Sequence, residues 1–320
     1  MLLSMVGQVA PVFQALIDNV DRVVRGKADA VRLALCCLLT EGHLLIDDVP
    51  GTGKTSLAKA IAGSIAGSWK RVQFTPDLLP SDITGVMVFE QRSATFSFRQ
   101  GPVFTNVLIG DEINRASPKT QSALLEVMEE RQVTADGVPH RVPRPFFVIA
   151  TQNPKDSQGT FPLPDVQLDR FSMKLSLGYA DPAVEVAILQ ESSRSTRERV
   201  TPAITDVNQV EQLIDTIEQV EAVHSIHDYI VRLATATRSH PDLRLGASTR
   251  GTLALLRVAK AYAASEQRAY VTPDDVKGLI SPVFGHRVSL TSEAELRGVT
   301  SEVVLAEIVD EVSVPRHRGD

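Results

Sequence analysis

The residues best suited to chemistry lie in the run Leu44-Leu45-Ile46-Asp47-Asp48-Val49-Pro50-Gly51-Thr52-Gly53-Lys54-Thr55-Ser56. An apolar strand leads into a glycine-containing turn and then a helix start, which is the layout of a phosphate-binding P-loop. Gly51 and Gly53 let the backbone bend tightly and bring its N–H groups to phosphate oxygens. The helix opening near Lys54 adds its positive N-terminal end. Lys54 is placed to reach β- and γ-phosphates, and the Thr55 hydroxyl to hold Mg²⁺. The strict pattern G-x-x-x-x-G-K-[ST] has glycine where this chain has Asp48. Aspartate tolerates turn geometry and can bond its own backbone, so the nucleotide cradle is expected from Asp48, Val49, Pro50, Gly51, Thr52, Gly53, Lys54, Thr55 and Ser56.

A second chemical signal is Asn106-Val107-Leu108-Ile109-Gly110-Asp111-Glu112, an apolar run ending in two carboxylates. A continuous apolar run reads as a strand buried on both faces, and its C-terminal end in such a sheet borders the ligand. Asp111 is expected to hold Mg²⁺, an ion that prefers oxygen ligands. Glu112 is expected to accept a proton from an attacking water. The competing reading, a solvated Asp-Glu pair at a strand end, is disfavoured by the phosphate loop upstream. Thr151-Gln152-Asn153 ends another apolar run, Phe146 to Ala150; an amide there can bond a γ-phosphate or the attacking water, although a lone Asn is common in loops.

These residues need a scaffold, and the periodicity supplies one. Residues 5–24 and Ala28 to Leu39 read as helices before the phosphate loop, and Ser56 to Ile65 as the helix after it. Val72-Gln73-Phe74 is a short strand, and Pro76 to Gly85 is punctuated like a loop. Val86 to Phe89 and Thr95 to Phe98 flank a polar turn, as do Gln132 to Thr134 and Val138 to Val142, so two hairpins are expected. Ser117-Pro118 starts a helix with its buried face at Ala123, Leu124, Val127 and Met128. Leu175 and Leu177 continue a last strand-like piece. Beyond about residue 181 amphipathic helices dominate, over Val207 to Val220, His227 to Thr237, Arg250 to Ala264 and Asp274 to Leu279. The polar segment Glu191 to Ala203 is the expected boundary.

Bulk properties narrow the class. The 320 residues suggest two domains. A hydrophobic content of 43% and a charged content of 22% are those of a soluble globular protein. The net charge of -6 and the lack of a basic tract argue against nucleic-acid or anionic-membrane binding. The adjacent Cys36 and Cys37 read as buried thiols rather than a disulfide or metal framework. No signal peptide and no apolar run of membrane-spanning length is apparent, so direct membrane insertion is not expected and a cytoplasmic location is.

Taken together, the motifs resemble those of the AAA+ ATPases, and within them the MoxR branch. The resemblance rests on Asp48 to Thr55, Asp111-Glu112-Ile113-Asn114-Arg115-Ala116, Ile149-Ala150-Thr151-Gln152-Asn153-Pro154, Gln167-Leu168-Asp169-Arg170-Phe171 and Gly246-Ala247-Ser248-Thr249-Arg250, and spans roughly Val23 to Val288. It implies an α/β fold: a P-loop AAA+ core with a parallel sheet between helices and two β-hairpin inserts, followed by an all-α lid. The implied division is 1–190 for the core, 191–203 for a linker and 204–320 for the lid. Asn153 is implied as sensor 1, Arg250 as sensor 2, and Arg170 as an arginine finger offered to a neighbouring subunit; Arg115 is a further candidate for the trans-acting role. Residues 86–98 look like the helix-2 insert and 132–143 like the insert before sensor 1. The implied function is ATP hydrolysis with Mg²⁺ in a homo-hexameric ring. Such a ring acts as a chaperone-like remodeller in maturation or assembly of protein complexes or in metal-cofactor insertion, with a von Willebrand factor A domain protein and a client complex as partners. A metal-chelatase-type motor subunit is the alternative; a non-hydrolysing nucleotide switch is opposed by Glu112.

Overall fold

The computed structural model describes residues 2–48, 51–153, 159–192 and 201–315. Two helices come first, α1 (Leu2–Asp21) and α2 (Ala28–Leu38). The apolar side chains of α1 that recur at helical spacing, Val6, Val9, Phe13, Leu16, Ile17 and Val20, are buried. Then follow β1 (Leu44–Asp47), α3 (Lys54–Ser64), β2 (Trp69–Gln73), α4 (Pro80–Thr84), β3 (Gly85–Glu90), β4 (Thr95–Gln100) and β5 (Val107–Asp111). The chain continues through α5 (Pro118–Glu130), β6 (Gln132–Ala135), β7 (Val138–Arg141), β8 (Phe147–Gln152), α6 (Asp165–Leu168), β9 (Met173–Leu175) and α7 (Pro182–Ser192). The C-terminal part holds α8 (Val207–Glu218), α9 (His224–Ser239), β10 (Leu243–Leu245), α10 (Thr249–Ser265), α11 (Pro273–Phe284), β11 (Ser289–Leu290), α12 (Ser292–Leu296) and α13 (Ser301–Glu311).

The contacts divide the chain into two compact units, one of Ala15–Leu163 and Leu175–Glu211, the other of Met1–Gln14, Pro164–Lys174 and Gln212–Asp320. The first unit is built on the strands β2, β5, β8 and β1, in that order across the sheet. β2 pairs parallel with β5, β5 with β8, and β8 with β1. β5 is buried at every residue, the pattern of a strand covered on both faces. A Cβ on Gly110 would lie 3.2 Å from Phe74, so the aromatic ring packs closely on the strand at this glycine. Asn19 of α1 donates to the Ser64 hydroxyl of α3 at 2.9 Å and to the Pro202 carbonyl at 2.8 Å, fastening the helix beside the phosphate-loop helix.

The two expected hairpins are β3–β4 and β6–β7, each antiparallel and separate from the main sheet. The segment expected as loop from Pro76 to Gly85 contains a helical turn instead: Pro80 occupies the first turn of α4, and the Asp82 carboxylate accepts from the Leu79 amide at 2.9 Å. The prolines read as breakers do not prevent this, because proline fits a helix's first turn.

The other unit is mainly helical. α9, α10, α11 and α13 each bury one face, with Tyr229, Leu233, Leu255, Val258, Val283, Phe284, Leu305 and Ile308 in the core. Thr272 and Asp275 form a capping box at the start of α11, and Arg268 pairs with Asp275 at 2.6 Å. A short antiparallel ribbon, β10–β11, adds to the helices expected from the periodicity; strands of two or three residues are too short to show a period of two.

Candidate nucleotide site

Parallel pairing brings the C-terminal ends of β5, β8 and β1 to one edge of the sheet. In the register, Asp47 lies opposite Gln152, and Gly110 opposite Ala150. The edge beyond the carboxyl ends of parallel strands is where open α/β sheets take ligands. The phosphate loop leaves β1 at this edge and enters α3. Gly51 and Gly53 have φ of +88° and +91°, a backbone conformation that side chains rarely adopt. A Cβ on Gly51 would meet nothing within 4 Å. Its glycine therefore answers to conformation and leaves open space in front of the loop. Among the described residues no side chain caps α3 and no acidic residue stands in its first turn, and the leading N–H groups of a helix need acceptors from outside it. Lys54, Thr55 and Ser56 are the first three residues of that helix. Val49 and Pro50, expected in the cradle, lie outside the described residues, as does Pro154.

The Lys54 ammonium donates to the Asp48 carbonyl at 2.6 Å and to the Gln152 carbonyl at 3.4 Å. Burial lowers its pKa from the ordinary lysine value, opposed by the carboxylates of Asp48, Asp111, Asp47 and Glu112. An ammonium held by backbone carbonyls is suited to receiving a phosphate oxygen.

Asp48 has partners beyond the phosphate loop. Its buried carboxylate accepts from the Leu177 amide at 2.5 Å, the Gly178 amide at 3.0 Å and the Ser176 hydroxyl at 3.2 Å. The residue that replaces the motif's first glycine thus pins the segment after β9 to the base of the phosphate loop. Val24, from the turn after α1, lies beside the loop, 3.8 Å from where a Cβ of Gly53 would stand.

At the end of β5, Asp111 is 6% exposed. One oxygen accepts from Arg71 Nε at 2.5 Å and the other from the Thr151 hydroxyl at 3.3 Å. The next residue, Glu112, has φ +56° and ψ +51°, a left-handed conformation in a side-chain-bearing residue. Such conformations cost about 1–3 kcal/mol and cluster where geometry serves function. Three contacts hold Glu112: its amide donates to the Thr151 hydroxyl at 3.0 Å, and its carboxylate accepts from Gln73 at 2.9 Å and Arg115 at 3.1 Å. Arg115 is thereby placed in the same unit, three residues from the carboxylate it pairs with. Asn153 immediately follows β8. Arg170 follows α6, and Arg250 is the second residue of α10; both belong to the other unit.

Arg71, Gln73 and Thr151 were given no role from the sequence. Arg71 and Gln73 alternate on β2 and therefore share a face, but the strand read from hydrophobicity began only at Val72. Thr151 belongs to the motif Ile149 to Pro154, in which the resemblance implies a role for Asn153 alone.

The donor set suits a nucleotide with a divalent cation. Thr55 and Asp111 offer oxygen ligands, the chemistry Mg²⁺ prefers. Asp111 is already a buried carboxylate compensated by a cation, the Arg71 guanidinium. The uncapped helix start and the open space before Gly51 suit phosphate oxygens.

Comparison with known proteins agrees with this geometry. Residues 43–173 match the model of the ATPase family associated with various cellular activities (AAA), and residues 235–308 match the AAA lid domain. The chain is 45% identical over 311 residues to the uncharacterized protein YeaC of Bacillus subtilis, covering 97% of each chain. It is 37% identical to Chaperone MoxR1 of Mycobacterium tuberculosis, over 94% of this chain and 81% of that protein. The crystal structure of a candidate ATPase from Cytophaga hutchinsonii superposes with a TM-score of 0.91 at 36% identity, over 98% of both chains. With an AAA core and lid matched in order and a MoxR relative aligned over most of its length, the chain belongs to the MoxR family of AAA+ ATPases.

Proposed function

We propose that this chain hydrolyses ATP with Mg²⁺ as one subunit of a homo-hexameric ring, and that the ring acts in the cytoplasm as a chaperone-like remodeller of protein complexes. The observation that carries the reading is the convergence of Lys54, Asp111 and the left-handed Glu112 at one sheet edge, in front of an uncapped helix start. In this reading the loop residues Asp48 to Ser56, through the backbone N–H groups they carry, and the Lys54 ammonium bind the phosphates. Thr55 and Asp111 hold the metal, which neutralises phosphate charge when bound. Glu112 orients water and takes its proton, and Asn153 holds the γ-phosphate end. Arg250 serves its own subunit's nucleotide and Arg170 a neighbour's, since a guanidinium stabilises charge spreading over phosphate oxygens. The role of Arg115 is positioning, because it already holds Glu112 at 3.1 Å.

The name of the mycobacterial relative, a chaperone, supports the remodelling role and favours it over a chelatase-type motor. We further propose that the division of labour follows 1–190 as the nucleotide-binding part, 191–203 as linker and 204–320 as lid. The partners would be a von Willebrand factor A domain protein and a client complex in assembly or metal-cofactor insertion.

The test is the ATPase rate against protein concentration for wild type, Glu112→Gln and Arg170→Ala. Specific activity is expected to rise with concentration, and Arg170→Ala to lose on the order of 10³-fold, as removal of a trans-acting arginine does elsewhere. Equal activity at high dilution with an unaffected Arg170→Ala would refute the shared site.

A further inference from the structure

The strongest unassigned cluster surrounds Asp169, the residue before Arg170. Arg287 is a buried arginine, its side chain 2% exposed, and it is used to capacity. Nε donates to Asp169 Oδ1 at 2.7 Å, Nη2 donates to the Asp169 carbonyl at 3.1 Å and the Phe171 carbonyl at 2.6 Å, and Nη1 donates to the Ser172 carbonyl at 3.1 Å and the Val283 carbonyl. These five bonds match the five N–H donors of a guanidinium, which lysine could not reproduce. His286 adds a bond from Nε2 to the Phe171 carbonyl at 2.9 Å. The turn that carries Arg170 is thus gripped from residue 169 to 172 by the residues that follow α11.

The same carboxylate has a second partner. Asp169 Oδ2 accepts from the Ser248 hydroxyl at 2.8 Å. Ser248 is the N-cap of α10, and its oxygen in turn accepts from the Gly251 amide at 3.1 Å. Gly251 is where Arg287 passes: a Cβ there would lie 2.9 Å from Arg287 Cδ. Arg250 stands between that cap and that glycine in the first turn of α10.

We propose that Asp169 is a positioning residue that joins the turn bearing Arg170 to the helix start bearing Arg250, so that the two arginines move as one body. Nucleotide held by Arg250 in one subunit then sets how Arg170 is presented to the next, giving adjacent sites a physical link through a single carboxylate. The inference rests on the phosphate-directed roles of both arginines given above.

The test uses the full chain and three readouts: kcat, the Kd of a fluorescent ATP analogue, and rescue in mixed rings. Asp169→Asn keeps the side chain's size and removes the charge that Arg287 and Ser248 share. It is expected to lose about tenfold or more in kcat, the scale of one charge-assisted hydrogen bond, with Kd changed less than about twofold. Mixing with Glu112→Gln subunits, which bring an intact Arg170 turn but cannot hydrolyse, is expected to restore activity to the Asp169→Asn sites. Ser248→Gly supplies an independent check: glycine at an N-cap costs only a few tenths of a kcal/mol relative to serine, yet it removes the hydroxyl that donates to Asp169, so kcat is expected to fall with the thermal midpoint nearly held. Wild-type kcat in either folded variant overturns the proposal. So does a loss in Asp169→Asn that Glu112→Gln subunits do not rescue while they rescue Arg170→Ala. If Arg170→Ala itself keeps full activity, it is the trans-acting reading of that arginine that has failed.

Discussion

Asp48 stands where the strict phosphate-loop pattern carries glycine, and its carboxylate has a task that glycine has no side chain to perform. It is 6% exposed and accepts two amides and a hydroxyl from Ser176, Leu177 and Gly178. Removing one partner of a buried charge-assisted bond costs about 1.5–3 kcal/mol and leaves the donors unsatisfied. Asp48→Ala is therefore expected to lower the apparent Tm by roughly 4–10 °C, while Asp48→Asn, which keeps one acceptor oxygen, loses less; differential scanning calorimetry decides. Equal midpoints for wild type and Asp48→Ala would show that the segment after β9 is held by something else. Glu112 poses the opposite question, because its left-handed backbone is a cost rather than a support. Contacts from Thr151, Gln73 and Arg115 hold it there.

The hairpin β3–β4 shows how an insert is attached to a rigid core. At its base, a Cβ on Gly85, where φ is +110°, would lie 2.4 Å from the Arg99 carbonyl oxygen, and one on Gly101 would lie 2.3 Å from the Ile83 carbonyl oxygen. Those contacts are with backbone, which cannot swing aside. Further out, Phe89 and Phe96 pack on each other with ring centroids 5.1 Å apart, yet they are 50% and 67% exposed. Phe98 stacks on His140 of β7 at 4.4 Å, so the two inserts touch. Gly101→Ala is expected to displace the hairpin and lower the apparent Tm by several degrees. Phe96→Ser removes a mostly exposed ring and an aromatic pair worth about 0.2–1 kcal/mol, so its midpoint should stay within a degree or two. Equal midpoints for both variants would place the hairpin's anchorage elsewhere than at its base.

Across the molecule, each compact unit carries a buried histidine that is held neutral. His43 donates from Nε2 to the Met128 carbonyl and accepts at Nδ1 from the Val148 amide, both at 3.1 Å, so a second ring proton would face an N–H. Burial, reinforced by the Arg131 guanidinium, pushes its pKa well below the ordinary value. His286 is pushed the same way by burial, then by Arg287 and more weakly by Lys174. Below about pH 6.5 the unfolded chain takes up protons at these positions that the folded chain refuses. Stability is then expected to be fully present above that pH and to fall as pH drops, by up to about 1.4 kcal/mol per pH unit for each histidine. Thermal midpoints between pH 7.5 and 5.5 check this. His43→Gln can keep a donor and an acceptor without titrating, and it should flatten part of the slope; an unchanged slope would assign the pH dependence to other groups. Among the described residues no helix is long and apolar enough to cross a membrane.

Much of this was legible in the residues alone. Strand ends, glycines of the phosphate loop, the Asp111-Glu112 pair and the hairpin turns are local patterns, written in neighbouring residues because backbone conformation and side-chain period are local properties. The adjacent Cys36 and Cys37, read as buried thiols, are buried and outside any disulfide. What the residues could not show are the partnerships between distant positions. Arg71 with Asp111, Gln73 with Glu112, Asp48 with the amides of Leu177 and Gly178, and Arg287 with Asp169 join residues 39 to 130 apart in the chain. No spacing rule predicts them, since strand order and packing alone bring those side chains within hydrogen-bonding distance. The sequence by itself therefore named the groups that could do the chemistry, and tertiary structure decided which side chains hold them in place.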